Sequence, residues 1–141
     1  RDPLWSRCLV DLYKRQGVCI PLLFDAVNIA VSGGDVLRVI DKHHSRINHV
    51  HIKDVRLEII NGLDRSKHSF LDAVIKGAFT VPGDGSLDFE AIVKRLAGYG
   101  YEGWFVVEAE QDPVGNPPLQ MAKKGQVELL RVMEKAGYKI I

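Results

Sequence analysis

Short apolar runs alternate with amphipathic helical patterns along this chain, and that alternation constrains the fold more than any other feature of the sequence. The runs lie at residues 18–24, 47–53 and 103–108 and have the length of buried strands. A helical pattern follows each of them. Strand–helix units repeated in this way are typical of α/β folds with a parallel sheet. We therefore predict three parallel strands over these ranges.

The helices of this pattern can be placed from their apolar spacing and their capping residues. Asp35 and Asp88 stand where N-caps are expected, and glycines follow three of the helices, at positions 17, 77 and 137. The four residues 82–85 (PGDG) indicate a tight turn rather than a phosphate-binding loop, because the lysine of such loops is missing. Helices are predicted at 4–15, from residue 36, at 66–76, at 89–97 and at about 119–136.

Composition and charge exclude several classes of protein. Hydrophobic residues make up 46% of the 141 residues and charged residues 26%, as in ordinary globular proteins. The net charge of +1 gives no bulk attraction to nucleic acids or anionic membranes, and no apolar stretch is long enough to span a bilayer. Cys8 and Cys19 are too few for a disulfide scaffold or a four-cysteine zinc site. We expect two free thiols, a cytoplasmic location, and no nucleic-acid or membrane partner.

Polar side chains stand at the carboxyl ends of the three predicted strands. Asp25, His51 and Glu108 follow aliphatic runs at equivalent points. Parallel sheets place their functional groups at this edge. Two carboxylates and an imidazole form a mixed ligand set that suits Mn²⁺, Co²⁺, Mg²⁺ or Zn²⁺. The residues alone leave an alternative open. In it, Asp25 is a helix N-cap, His51 is a hydrogen-bonded core histidine and Glu108 is an incidental surface residue.

Three segments of the chain resemble one enzyme family. They are residues 49–56 (HVHIKDVR), 79–89 (FTVPGDGSLDF) and 99–113 (YGYEGWFVVEAEQDP). Together they are similar to the C-terminal half of the inosose dehydratases, the 2-keto-myo-inositol dehydratases of the xylose-isomerase-like barrel superfamily. The resemblance covers about residues 22–130.

The resemblance implies a divalent metal site. In this family a Glu, an Asp, a His and a second Glu from four strand ends hold one ion. Asp25, His51 and Glu108 match the last three ligands, and the first would lie on an earlier strand that this chain does not contain. Mn²⁺ or Co²⁺ is favoured, with Mg²⁺ or Zn²⁺ as alternatives. The family's D-T-G-H segment reads D-A-V-N here, so that Asn28 stands where a histidine near the substrate is expected.

Further candidates lie beside the predicted ligands. Lys53 shares a strand face with His51, and a lysine close to a metal ion has a lowered pKa and can act as an acid or a base. Glu108 is the second candidate for proton transfer. Asp54 and Arg56 either bind substrate hydroxyls or form a local ion pair, and Glu110 is a candidate proton shuttle and substrate contact. A solvated lysine and a surface glutamate are the alternatives for Lys53 and Glu110.

The length limits how much of a barrel this chain supplies. A complete (β/α)₈ barrel needs about 250 residues, and the pattern here provides three β/α units. We expect residues 1–141 to form a single domain, the C-terminal part of such a barrel, with a poorly matching leader at 1–17. Because the chain begins with Arg1 and has no signal-like segment, we expect a processed chain or a fragment of a longer one. A small complete three-stranded domain is the alternative, although its sheet edges would need covering.

The resemblance implies a metal-dependent carbon–oxygen lyase acting on a cyclic polyol ketone, as in inositol catabolism. Two alternatives remain: a ketose isomerase or epimerase of the same fold, and a truncated half-barrel without catalytic activity. The small-molecule polyol ketone is the expected partner. An exposed half-barrel edge also makes a homo-oligomer an expectation.

Overall fold

The computed structural model of the chain describes residues 20–64 and 66–139. The predicted helix at 4–15, residues 18 and 19 of the first predicted strand, and both cysteines lie outside these ranges. The strands are β1 (Leu22–Asp25), β2 (Ile47–Ile52), β3 (Asp54–Val55), β4 (Phe79–Thr80) and β5 (Trp104–Val107). The helices are α1 (Ala26–Val31), α2 (Val36–His43), α3 (Leu57–Gly62), α4 (Phe70–Ile75), α5 (Phe89–Gly98) and α6 (Pro118–Lys135), with a 3₁₀ turn at His44–Arg46.

The main sheet has three parallel strands in the order β1-β2-β5. Each is followed by at least one helix, so the predicted α/β architecture is confirmed. In the register, Asp25 lies opposite His51, and His51 lies opposite Val106. Within the described residues the sheet does not close on itself, which is consistent with one part of a barrel.

A second, two-stranded sheet was not predicted from the sequence. β3 and β4 pair antiparallel, with Asp54 opposite Thr80 and Val55 opposite Phe79. Helices α1 and α3 were missed as well, and the helix predicted at 66–76 begins only at Phe70. Strands of two residues and helices of six are too short to show a hydrophobic period. This small sheet carries the chain away from β2 and returns it through the PGDG turn.

Aspartate and serine side chains begin four of the helices. Asp25, Asp35 and Asp88 each accept a hydrogen bond from the backbone N–H three residues on, at the starts of α1, α2 and α5. Ser69 starts α4 in a capping box with Asp72. The caps at Asp35 and Asp88 are those predicted.

Two apolar cores hold these elements together. The larger one lies between the outer face of the main sheet and helices α2, α5 and α6, where Phe24, Val50 and Ile52 are at most 1% exposed. The smaller one fills the space beneath α3 and α4 and includes Val55 and Phe79. Because one strand face is used for the larger core, the polar residues that alternate with it are directed to the inner face of the sheet.

None of the helices in the described ranges is both long and apolar enough to cross a membrane.

Two tyrosines, Tyr101 buried and Tyr138 half-buried, make the stability of the fold sensitive to alkaline pH. The hydroxyl of Tyr101 donates to the carbonyl oxygen of Trp104 at 2.8 Å, and that of Tyr138 donates to the carbonyl oxygen of Tyr101 at 2.9 Å. Burial raises the pKa of each phenol from 10.0 to about 12. A raised pKa means that the folded state favours the neutral phenol. The corresponding stability is therefore present below pH 10 and is lost as the pH rises from 10 towards 12.

We expect the free energy of unfolding, measured with urea, to fall less steeply between pH 10 and 12 in Tyr101→Phe and Tyr138→Phe than in the unaltered protein. Each variant loses one hydrogen bond at neutral pH, worth about 1 kcal/mol. If the alkaline loss were equal in all three proteins, other groups would be responsible for it.

Candidate functional site

Three of the predicted ligand residues converge at the carboxyl end of the main sheet. Asp25, His51 and Glu108 each offer one oxygen or nitrogen atom, and these atoms lie within 4.8 Å of one another. The Nδ1 atom of His51 is 3.0 Å from Oε2 of Glu108. The parallel register causes this arrangement, since Asp25 ends β1 opposite His51 and the backbone N–H of Glu108 donates to the carbonyl oxygen of Ile52.

The donor set fits a divalent cation. Two carboxylate oxygens and one imidazole nitrogen are hard or intermediate donors, and no thiolate is among them. Asp25 is buried and the other two are half-buried, so the donors face a partly desolvated space. These residues could hold Mn²⁺, Co²⁺, Mg²⁺ or Zn²⁺ equally well by ligand type, and the structure supports a divalent metal site without choosing among them.

Lys53 lies among the carboxylates of this cluster. Its ammonium nitrogen is 3.1 Å from Oδ2 of Asp25, 3.4 Å from Oε2 of Glu108 and 3.5 Å from Oε2 of Glu110. The lysine side chain is only 8% exposed. Burial acts to lower the pKa of Lys53, but the surrounding carboxylates outweigh it and the pKa is raised.

Asn28 supports the ligand Asp25. Its amide nitrogen donates to Oδ2 of Asp25 at 2.7 Å, and its backbone N–H donates to Oδ1 at 3.0 Å. Asp25 is therefore the N-cap of α1 and a member of the cluster at once. Because Asn28 is exposed, the same amide also borders the space in front of the cluster.

Asp54 lies apart from this cluster and has a structural role. Its carboxylate is fully buried and accepts four backbone hydrogen bonds, from Val55 at 2.8 Å, Gly83 at 3.2 Å, Gly85 at 3.0 Å and Leu87 at 3.0 Å. Burial raises the pKa of Asp54, and the four N–H donors oppose that shift. The sequence left a substrate contact or a local ion pair open for Asp54, and its oxygens instead accept from backbone N–H groups of the PGDG turn and of Val55 and Leu87.

Arg56 also binds the turn rather than the cluster. Its Nη2 atom is 2.6 Å from Oδ2 of Asp84, and its Nη1 atom donates to the carbonyl oxygen of Gly77. Asp84 is paired with Lys124 as well. Burial acts to raise the pKa of Asp84, but its bonds to Lys124 and Thr80 and the nearby Arg56 lower it overall. The local ion pair, which the sequence left open as the alternative for Arg56, is the arrangement found.

The structure thus brings six of the predicted residues together and separates two. The cluster contains Asn28 and the five ionisable residues Asp25, His51, Lys53, Glu108 and Glu110. Asp54 and Arg56 instead hold the turn that lies beside it. Sequence reasoning missed the supporting residues Thr80, Asp84 and Lys124, because their partners lie up to 40 residues away along the chain.

The contact between Asp54 and the turn requires glycine at position 85. A Cβ atom there would collide with the carboxylate of Asp54 and would lie 2.8 Å from the carbonyl oxygen of Val55. We expect Gly85→Ala to destabilise the protein by about 2–4 kcal/mol, since neither the buried carboxylate nor the strand can move away freely. Chemical denaturation measures this change.

Gly98→Ala is the matched control, because a Cβ atom at Gly98, the last residue of α5, meets nothing within 4 Å. It should leave stability unchanged or raise it by up to about 1 kcal/mol. Equal effects of the two substitutions would contradict the assigned role of Gly85.

The chain is similar to proteins of known family. A family profile described as xylose isomerase-like TIM barrel matches residues 14–136, which extends beyond the range of about 22–130 expected from the motifs. The rhizopine catabolism protein MocC of Rhizobium meliloti is 48% identical over 129 residues, which are 92% of this chain and 40% of that protein.

Two inosose dehydratases show comparable similarity. That of Geobacillus thermodenitrificans is 51% identical over 107 residues, 76% of this chain and 36% of the enzyme. That of Clostridium perfringens is 51% identical over 118 residues, 84% of this chain and 39% of the enzyme. The chain therefore spans about two fifths of the length of the relatives it matches.

Proposed function

Because the chain belongs to the xylose isomerase-like TIM barrel family, we propose that the full-length protein is a metal-dependent dehydratase of 2-keto-myo-inositol, a carbon–oxygen lyase of inositol catabolism. The observation that carries this proposal is the convergence of Asp25, His51 and Glu108 around Lys53 at the carboxyl edge of the sheet. About 50% identity to inosose dehydratases supports the choice of substrate.

The reaction removes a proton from the carbon next to the ketone and expels a hydroxyl from the neighbouring carbon as water. A divalent cation held by Asp25, His51 and Glu108, which we expect to be Mn²⁺ or Co²⁺, would polarise the ketone and stabilise the negative charge that forms when the proton leaves. The protein must still supply a proton acceptor, a proton donor and contacts for the hydroxyls.

Glu108 and Lys53 are the proposed proton-transfer residues. Their reacting atoms, Oε2 and Nζ, are 3.4 Å apart, so a proton taken by one of them is held close to the other. Glu110 lies 3.5 Å from the same ammonium nitrogen and is 42% exposed, a position from which a proton can pass to solvent. Asn28 stands where the family has a histidine, so this position contributes no titratable group.

Substrate contacts are proposed for Asn28 and Glu110, whose polar atoms border the cluster and are in part exposed. A polyol ketone offers hydroxyl groups that both donate and accept hydrogen bonds, and an amide beside a carboxylate is suited to bind them. The proposal includes a cytoplasmic location, which the metabolic relatives support.

Exposed apolar side chains on the inner face of the sheet support the presence of further strands in the full-length protein. Leu23 is 48% exposed and Trp104 is 74% exposed on this face, although both are large apolar side chains. We propose that the earlier strands of the full-length protein cover them and contribute the fourth ligand, a glutamate. A homo-oligomer that pairs these faces remains the alternative.

The experiment that tests this function follows formation of the dione product by its ultraviolet absorbance. We expect turnover by the full-length protein with added Mn²⁺ or Co²⁺, and none by the 141-residue chain, because three ligands fix an ion less firmly than four. Displacement of a reacting group by about 1 Å can cost ~100-fold in rate.

Each of the other outcomes would lead to a different conclusion about the function of this protein. Robust turnover by the 141-residue chain would show that the proposed ligand set is incomplete or incorrect. Epimerisation of a ketose without dehydration would assign the isomerase or epimerase function of the same fold. If neither reaction is seen and no divalent cation binds, the third hypothesis is supported, that of a half-barrel without catalytic activity.

A further inference from the structure

The side-chain amide of Gln111 contains a buried oxygen that lacks a hydrogen bond. Among the residues that the structure describes, Oε1 of Gln111 has no partner, although solvent does not reach it. Buried polar atoms in folded proteins nearly always have a partner, so an exception indicates a group that is satisfied by something outside the described residues. Gln111 follows Glu108 by three residues, just beyond the end of β5.

A relay of hydrogen bonds fixes which end of this amide faces the protein. The nitrogen of Gln111 donates to Oγ1 of Thr80 at 3.2 Å, and Thr80 donates its only hydroxyl proton to Oδ2 of Asp84 at 2.7 Å. Asp84 is ionised and can only accept. Oγ1 of Thr80 has no second proton to donate, so it accepts from Gln111 as it also accepts from Nη2 of Arg56 at 3.4 Å. This places the amide NH₂ of Gln111 towards Thr80 and leaves Oε1 free to accept.

Gln111 also lines a cavity of about 140 Å³ that shares Glu108 with the candidate site. Glu108 and Asn116 contribute its other polar side chains, and Val81, Val107 and Met121 contribute apolar walls. A small cavity with apolar walls and a few directed polar groups is suited to one edge of a polyol ring, in which C–H and O–H groups alternate. Because Glu108 belongs to both the cavity and the cluster, a substrate at the cluster can extend into this space.

We propose that Gln111 is a specificity-determining residue whose Oε1 accepts a hydrogen bond from one hydroxyl group of the polyol ketone. This inference rests on the proposed function, since it takes the ligand to be a polyol held beside Glu108. Asp84 and Thr80 then act on the substrate indirectly, by holding the amide nitrogen towards Thr80 and the acceptor oxygen away from it. A site built to bind a hydroxyl discriminates strongly against an analogue that lacks it.

The test combines a variant with altered substrates in the full-length protein. Values of kcat/KM are measured for 2-keto-myo-inositol and for monodeoxy analogues that keep both the ketone and the departing hydroxyl, using the unaltered protein and Gln111→Met. We expect Gln111→Met to lower kcat/KM for the parent substrate by about 10-fold to 100-fold. For one analogue the same substitution should have less than about a 3-fold effect, because the hydroxyl that Gln111 binds is already missing.

Met121→Leu is the matched control, since it alters an apolar wall of the same cavity. It should change kcat/KM by a similar factor for every substrate. If Gln111→Met also lowered kcat/KM by the same factor for every substrate, Gln111 would have a structural role or bind a water molecule. The proposal would then be overturned.

Binding separates this inference from the proposed function. Should the unaltered full-length protein turn over none of these ketones, the dehydratase function fails, and isothermal titration with the same compounds then decides on Gln111. Hydroxyl-dependent binding that Gln111→Met abolishes supports the inference without the reaction. No binding of any of the ketones overturns both.

Discussion

Glu108→Gln in the full-length protein should lower the rate of inosose dehydration by more than about 100-fold. The substitution keeps the size of the side chain but replaces a charged ligand with a neutral amide and removes its pairing with His51 and Lys53. Loss of residues that merely orient metal ligands typically costs 10–100-fold in affinity or activity, so loss of a ligand should exceed that range. Turnover at saturating Mn²⁺ or Co²⁺, together with calorimetric titration of the metal, measures both effects.

Glu102→Gln is the control for this experiment. Glu102 is exposed and lies just before β5, at the end of the strand opposite to Glu108. It should leave metal affinity and turnover unchanged. If Glu108→Gln kept more than about a tenth of the activity, Glu108 would be neither a ligand nor a proton-transfer residue.

The positions of the three parallel strands could be predicted because each is a continuous apolar run between helical patterns. From that prediction the meeting of Asp25, His51 and Glu108 also follows, since the carboxyl ends of parallel strands share one edge. The ends of β2 and β5 differ from the prediction by at most one residue, and β1 ends one residue later than predicted. The period of side chains along each strand, rather than its exact ends, determined which groups reached the site.

The roles of Asp54 and Arg56 could not be predicted in the same way. Asp54 binds backbone groups 29 to 33 residues further along the chain, and Arg56 binds Asp84, 28 residues away. Those contacts depend on β3 and β4, which are too short to leave a pattern in the sequence. For a polar residue next to a predicted site, the sequence therefore left two interpretations open, a substrate contact or a local ion pair.

Alternation along one short segment explains why neighbours differ so strongly in role. His51 and Lys53 lie on one face of the chain and contact the carboxylates of the cluster. Asp54, the next residue, is directed to the turn and anchors it through its buried carboxylate. The end of β2 thus fixes both the cluster and the turn beside it, so that displacement of one would displace the other.

Lys53→Met should destabilise the protein by about 3–5 kcal/mol, the second large effect that we expect. Methionine has nearly the same length, but it leaves Asp25, Glu108 and Glu110 close together without the cation that now separates them. Both Lys53 and Asp25 have side chains less than 10% exposed, and breaking a buried ion pair by removal of one partner typically costs this much. Urea denaturation of the metal-free protein measures the loss.

Divalent cations should restore much of this stability. An ion bound by Asp25, His51 and Glu108 neutralises the same carboxylates, and a ligand that binds only the folded state stabilises it by mass action. Adding Mn²⁺ should therefore raise the free energy of unfolding of Lys53→Met by more than that of the unaltered protein.

Lys124→Met is the matched control, because this lysine is 51% exposed and pairs only with Asp84 among the described residues. We expect Lys124→Met to lose at most about 1 kcal/mol of stability, with no dependence on Mn²⁺. If Lys53→Met lost as little stability as the control, the carboxylate cluster would not require this lysine. If Mn²⁺ stabilised the two variants equally, the ion would bind elsewhere.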